Sequence, residues 1–218
     1  MKKSLYVLSI GVFALFVSCN QTNKQSKTES TAENKMVEME SGIELTACNH
    51  ATKIYWNGSK PGGEHNGIIK LKEGGKFIVK NDELIGGQVI IDMNSIVNID
   101  LEDAEMNAKL IGHLKSADFF NVDSFPEAKF VITKVEKSDV DGFNKKITGN
   151  LTMKNITHEI AFNANVKVNE GMVSALSEDI VLDRTKWNVN YGSKSIFKEL
   201  KDKFINDEFS IKIDAHSM

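Results

Sequence analysis

The stretch GHLKSADFFNVDSFPEAKF, Gly112 to Phe130, holds one histidine, three acids and four phenylalanines within nineteen residues. As chemistry, it offers His113 and Asp118 as an acid–base pair. As structure, it reads as a helix end, a hinge and the start of a strand. A last-turn histidine bonds free helix carbonyls and favours the negative end of the dipole. Asp118 then caps the following turn, Phe119 and Phe120 tuck against a core, and Ser124-Phe125-Pro126 breaks any helix before a strand from Ala128 to Glu136. His50, His65, His158 and His216 are scattered, with no HExxH or other metal-ligand spacing. His158 and His216 stand at strand ends, where solvated side chains are the rule. No GxSxG elbow, P-loop, CxxC, or GxGxxG after a strand occurs. The expectation is no catalytic residue and no metal. The alternative is an enzyme acting on a lipid or stress-derived substrate through His65 or His113.

The elements that would position such residues follow a period of two. Ile147, Gly149, Leu151 and Met153 alternate with polar neighbours, as do Ile160, Phe162, Ala164, Val166 and Val168, and again Phe209, Ile211, Ile213 and Ala215. This is the pattern of antiparallel strands with one wet face and one buried face. Short polar turns separate the runs, among them Glu73-Gly74-Gly75, Asn81-Asp82, Asp139 to Gly142, Lys154-Asn155 and Glu170-Gly171. The expected fold is all-β and antiparallel, a single domain of about eight strands with two short helices, suiting either a closed up-and-down barrel or a sandwich. One helix is expected over Asp103–Lys115, with Asp103 as N-cap and Glu105–Lys109 as an i,i+4 pair. The other is expected over Ser195–Phe204, where Ile196, Phe197, Leu200 and Phe204 fall at helical spacing. Gly86-Gly87, inside the strand-like run Leu84 to Met93, marks a bulge or a close approach of backbone or ligand.

The chain opens MKKSLYVLSIGVFALFVSCNQ, a basic start and an apolar run too short to span a bilayer but suited to a signal peptide. Ser18-Cys19 stands where a lipoprotein signal is cut, although Phe16 and Val17 depart from the usual lipobox; an ordinary secretory signal is the competing reading. Residues 1–18 are therefore expected to be a lipoprotein signal, with Cys19 the lipidation site and 19–43 a polar tether that cannot bury enough surface to order itself. Residues 44–218 form the domain. Asn20 after the cysteine, with no acidic cluster behind it, favours a cell-envelope protein anchored in the outer membrane and facing the periplasm. Cys48 is the one other cysteine, so no internal disulfide is expected. A net charge of −3 with both signs interspersed offers no nucleic-acid surface.

A resemblance then becomes specific. The segments GGEHNGIIKLKEGGKF, IDMNSIVN, LIGHLKSADFFNVDSFPEAKFVIT, ITGNLTMKNITHEIAF and DRTKWNVNYG occur in this order. Together they closely resemble the YceI-like family of polyisoprenoid-binding, lipocalin-like periplasmic proteins. The resemblance implies a barrel with an elongated apolar cavity that stores or carries a long-chain isoprenoid, an isoprenoid quinone or a similar amphiphile, with no further cofactor and no established reaction. It also recasts His113 as part of a family structural signature, near the ligand's polar end. Expected cavity residues are Trp56, Ile69, Phe77, Val89, Ile91, Phe130, Ile147, Phe162, Ala164, Ile180 and Trp187, each of which is equally read as plain core. His65, His113 and Arg184 are the candidates for a ligand head group, Arg184 standing out among many lysines for its planar fork. The implied partners are a long-chain lipid or isoprenoid and the membrane, through the N-terminal lipid; a homodimer is left open. The signal, the tether and the SKSIFKELKDKF insertion depart from soluble members of the family.

Overall fold

A computed structural model describes residues 42–218. The signal, Cys19 and all but the last residues assigned to the tether lie outside the described residues. The strands form one antiparallel sheet: β1 (Ile43–Thr46), β2 (Lys53–Lys60), β3 (Gly63–Leu71), β4 (Lys76–Lys80) and β5 (Glu83–Asn98) precede helix α1 (Ala104–Lys115). After it come β6 (Glu127–Lys137), β7 (Lys145–Met153), β8 (Ile156–Asn169), β9 (Met172–Ser177), β10 (Ile180–Asp183) and β11 (Glu208–His216). β1 begins at Ile43, inside the span read as tether.

These pieces make eight staves of a closed barrel, because three staves are interrupted. β1 and β2 lie end to end along β4 and β3, with Ile43 opposite Val79 and Ile54 opposite Ile69. β4 continues β3 along β5, and β10 continues β9 along β11. Each stave pairs with the next in sequence, and β11 pairs with β2 to close the ring. Closure leaves no long unpaired edge.

Local chemistry explains the meander. Asn81-Asp82, Lys154-Asn155 and Glu170-Gly171 all hold positive φ, the geometry of two-residue hairpin turns that match strand twist. Along β7, Ile147, Gly149, Leu151 and Met153 are buried while their neighbours are not, so the alternation marks the inward face. A bulge interrupts β5 opposite Ile78–Val79, as the Gly86-Gly87 pair anticipated. Gly87 holds φ 149°, and a Cβ there would meet the Lys76 carbonyl oxygen at 2.5 Å, so only glycine fits.

α1 lies in the connection from β5 to β6. Asp103 caps it, its carboxylate accepting from the Met106 N–H at 2.8 Å, and Glu105 pairs with Lys109 at 2.7 Å. Only Leu114 of the helix is buried. The second expected helix does not form. Within Ser195–Phe204 a single 3₁₀ turn, Lys198–Leu200, is present. Ile196 and Phe197 are exposed, so no apolar stripe is buried to hold a helix. Its N-terminus lacks a side-chain cap, and Lys201 at φ 48° ends the turn. A further 3₁₀ turn, Arg184–Trp187, begins on the Asp183 carboxylate.

The end of α1 differs from expectation at the histidine. Ser116 closes the helix: its N–H and hydroxyl both donate to the His113 carbonyl, at 3.1 and 2.8 Å. His113 packs its ring edge-on against Tyr191 and Phe119, and its Nε2 is buried without a partner rather than bonded to helix carbonyls.

Candidate functional site: a two-chambered apolar lumen

The inward residues of the eight staves do not meet across the barrel axis. They leave two adjoining chambers, of about 70 and 130 Å³, which share Ile91, Leu151 and Ile211 as their waist. Around the smaller chamber stand Phe77, Val89, Phe130, Ile147, Phe162 and Ala164, all expected from the alternation. Phe130 and Phe162 approach at 5.8 Å between ring centroids. The larger chamber lies under α1 and takes Trp56 and Ile69 from the expected set. Met93, Leu114, Phe119 and Met153 join them. Leu151, Met153 and Ile211 carry the same alternating signal as their neighbours; Leu114 and Phe119 come from outside the strands, where that signal does not reach.

Ile180 and Trp187 line neither chamber. Ile180 is buried on β10. Trp187 is buried in the core, donating from Nε1 to the Leu151 carbonyl at 3.2 Å, with His158 edge-on at 5.1 Å. His158 is half-buried, and its Nε2 lies 3.0 Å from the Lys186 carbonyl. His216 likewise sits 2.9 Å from Asp214.

The three head-group candidates part company. Arg184 borders the larger chamber at 2 % exposure. Its guanidinium donates to the carbonyls of Asn206 at 3.0 Å, Val189 at 2.5 Å and Ile205 at 3.0 Å, and lies 3.5 Å from the Asp207 carboxylate. Burial pushes its pKa down, and Asp207 and Asp183 push it back. The fork is committed to the protein's own backbone, with its face 5.4 Å from the Phe119 ring centre. Asp207 stays below the usual carboxylate range: burial raises it, but the hydroxyls of Ser195 and Ser193, Arg184 and the Ser195 N–H outweigh that. Lys154, read in the sequence only as half of a turn, is a second internal tie, donating to the carbonyls of Phe119 at 3.0 Å and Asn188 at 2.8 Å. Burial lowers its pKa.

His65 is engaged away from the lumen, with Nδ1 2.8 Å from the Asp100 carboxylate. Burial raises the Asp100 pKa, but the Asn66 N–H, His65 and Asn98 lower it further, leaving a net depression. His113 borders neither chamber. Arg184 is the single ionisable side chain among the described lining residues. Among the described residues, no three His, Cys, Asp or Glu side chains gather as a metal set. The rim of the larger chamber is its polar part: Asn57 and Gly58 of β2 face Asn206, which is exposed and bonds Ser59 through both its N–H (2.9 Å) and its side-chain amide (2.8 Å).

Comparison with known proteins agrees with this architecture. Two solved structures share the fold, each with a TM-score of 0.57. Burkholderia cenocepacia BcnA is 18 % identical, covering 79 % of this chain and 99 % of that one. A polyisoprenoid binding domain from Saccharophagus degradans, implicated in plant cell wall breakdown, is 11 % identical, covering 81 % and 98 %. In sequence, a UPF0312 protein of Photorhabdus laumondii is 37 % identical over 71 residues, 33 % of each chain. Protein YceI of Salmonella arizonae is 37 % identical over 90 residues, 41 % of this chain and 42 % of that one. The aligned part thus spans less than half the length of these curated relatives. The YceI-like domain model matches residues 49–217, nearly the whole barrel, and the chain belongs to the YceI-like family.

Proposed function

We propose that this protein binds a long-chain apolar molecule, such as a polyisoprenoid or an isoprenoid quinone, in the barrel lumen and stores or carries it. The observation that carries this reading is a lumen left open between inward Ile, Leu, Phe and Met side chains, where close packing is the rule for a core. The polyisoprenoid-binding description of the Saccharophagus neighbour supports the ligand class. An apolar cavity of roughly 150 Å³ stays dry and admits a benzene-sized guest, so a longer chain requires the wall to yield. Met93 and Met153 on the larger chamber are the side chains best suited to that. Burying roughly 500 Å² of chain contributes about 12 kcal/mol, much of it offset by ordering the chain and losing its free motion.

The reading is of a binder rather than an enzyme, with no added cofactor. The described lining offers no histidine, carboxylate or thiol for chemistry. We further infer that Cys19 carries a diacylglycerol and tethers the domain to the outer membrane on its periplasmic side. The apolar run and the Ser18-Cys19 junction support this.

Solvent extraction of protein purified from its native membrane, followed by mass spectrometry, tests the ligand. One long-chain molecule per chain is expected; protein that is consistently empty and refuses reloading with polyprenols and quinones rejects the reading. Metabolic labelling with a palmitate analogue tests the anchor. Label is expected on the wild type and none on Cys19→Ala, and equal label on both rejects Cys19 as the site.

A further inference from the structure

The segment from Ser193 to Ile205 leaves the barrel wall and returns to it. A bridge between Ser193 and Ile205 and the 2.8 Å bond from the Ile205 N–H to the Gly192 carbonyl pin its base. Ser193 and Ser195 also hold the Asp207 carboxylate. The tip carries what a soluble loop ordinarily hides: Ile196 and Phe197 are 45 % and 49 % exposed, and Tyr191 beside the base is 47 % exposed. Around them stand exposed Lys194, Lys198, Lys201 and Lys203 against Glu199 and Asp202, a locally positive element on a chain of net charge −3. Lys194 lies over the Phe204 ring at 4.5 Å, keeping its ammonium at the surface while its stem covers apolar area.

We propose that this loop docks the barrel on an anionic phospholipid bilayer, Ile196 and Phe197 entering the interface and the lysines meeting the phosphates. Apolar tips flanked by lysines match a surface that is anionic outside and apolar beneath. A second copy of the chain is a poor occupant, because a symmetric contact would set one positive loop against another. The position adds meaning. Ile205 and Asn206, where the loop rejoins the wall, line the larger chamber, so docking brings the chamber's polar rim to the membrane. This goes beyond the ligand reading and rests on it only for the purpose that docking serves.

The full chain carrying Phe197→Trp is mixed with vesicles of phosphatidylglycerol and phosphatidylcholine whose acyl chains are brominated near the interface. Quenching reports where residue 197 sits, whatever the N-terminus does. The added emission is expected to fall by about half, as for a side chain at the acyl boundary. The wild type, whose Trp56 and Trp187 belong to the barrel, should change little. Adding Lys198→Glu and Lys201→Glu should raise the lipid concentration needed for half-maximal quenching by roughly thirtyfold or more. Thermal melts check that these exposed changes leave the fold intact. Equal emission with brominated and plain lipid overturns the proposal. Quenching that ignores phosphatidylglycerol, or capture of the tip by a second protein chain without quenching, overturns it equally. Ligand recovered by extraction is measured separately on the same variants, so docking and ligand binding can each fail alone.

Discussion

Phe77, Phe130 and Phe162 wall one end of the lumen; α1, the Arg184 ties and the Asn206 rim close the other. The first end is built from strands alone, and its contacts are non-directional and set by shape. The second is assembled from a helix, two turns and a long loop. It depends on hydrogen bonds from Arg184 and Lys154 to carbonyls that the irregular backbone leaves unpaired. One end is held by the continuous hydrogen-bonded strands that wall its small chamber; the other holds only while a few polar contacts are made. If a ligand enters by one end, the second is the end with parts that can separate.

The strongest way to break this contrast is Arg184→Met. It abandons three carbonyls, that of Val189 buried, and the Asp207 carboxylate, and should cost about 3–5 kcal/mol in urea unfolding. Arg184→Lys should restore only part, since an ammonium cannot reproduce the fork. A loss within error of the wild type would mean that the polar end does not depend on Arg184.

A paired enlargement sharpens the comparison of the chambers. Ala164 lines the smaller one and Ala128 the larger. Ala164→Leu, set among phenylalanines, should cost about 1–3 kcal/mol, the range for overpacking. Ala128→Leu faces a larger void with two methionines on its wall and should cost clearly less. Equal losses would show that both ends pack alike. Each variant's extracted ligand then shows which chamber the chain occupies.

His113 tests the hinge. Its buried, unpartnered Nε2 stabilises nothing, so His113→Phe should be neutral or raise stability by about 1 kcal/mol. Ser116→Ala, which removes the hydroxyl bond to the His113 carbonyl, should lose about 1 kcal/mol. The reverse ranking in denaturant melts would return the capping role to the histidine.

The smallest effect is a pH dependence of the loop base. The folded pKa of Asp207 lies below the ordinary carboxylate range, so its contribution is complete above that range and is lost as pH falls through the folded pKa. Protection against hydrogen exchange in the Ser193–Asn206 loop, taken relative to the intrinsic rate at each pH, should fall below about pH 4, and Asp207→Asn should abolish that acid response. Asp100 follows the same sign beside His65, so an unchanged profile in Asp207→Asn would assign the response there instead.

Much of the barrel was legible because a strand's side-chain period is two. That period told Ile147 from Lys146 and Phe162 from Asn163 without any tertiary information. Hairpin turns at Asn81-Asp82 and Lys154-Asn155, and the Asp103 cap, were equally local, each set by a few neighbouring backbone groups. The Ser195–Phe204 segment misled because helical spacing of apolar residues forms a helix only if some surface receives that face, and here none does. Ile180 and Trp187 share the composition of lining residues, but Ile180 is buried on the short strand β10 and Trp187 ends a 3₁₀ turn with its ring bonded to the Leu151 carbonyl, so neither reaches the lumen.

By itself, then, the sequence determined the inward face of each strand, the turns between strands, the first helix and the family. Tertiary structure alone decided that those faces enclose space. Whether inward side chains meet depends on the radius of a ring of eight staves, a non-local quantity set by strand number and stagger. It alone decided the fate of Arg184 too, because the carbonyls that take up its guanidinium, at Val189, Ile205 and Asn206, converge only once the barrel has closed and the loop has folded back.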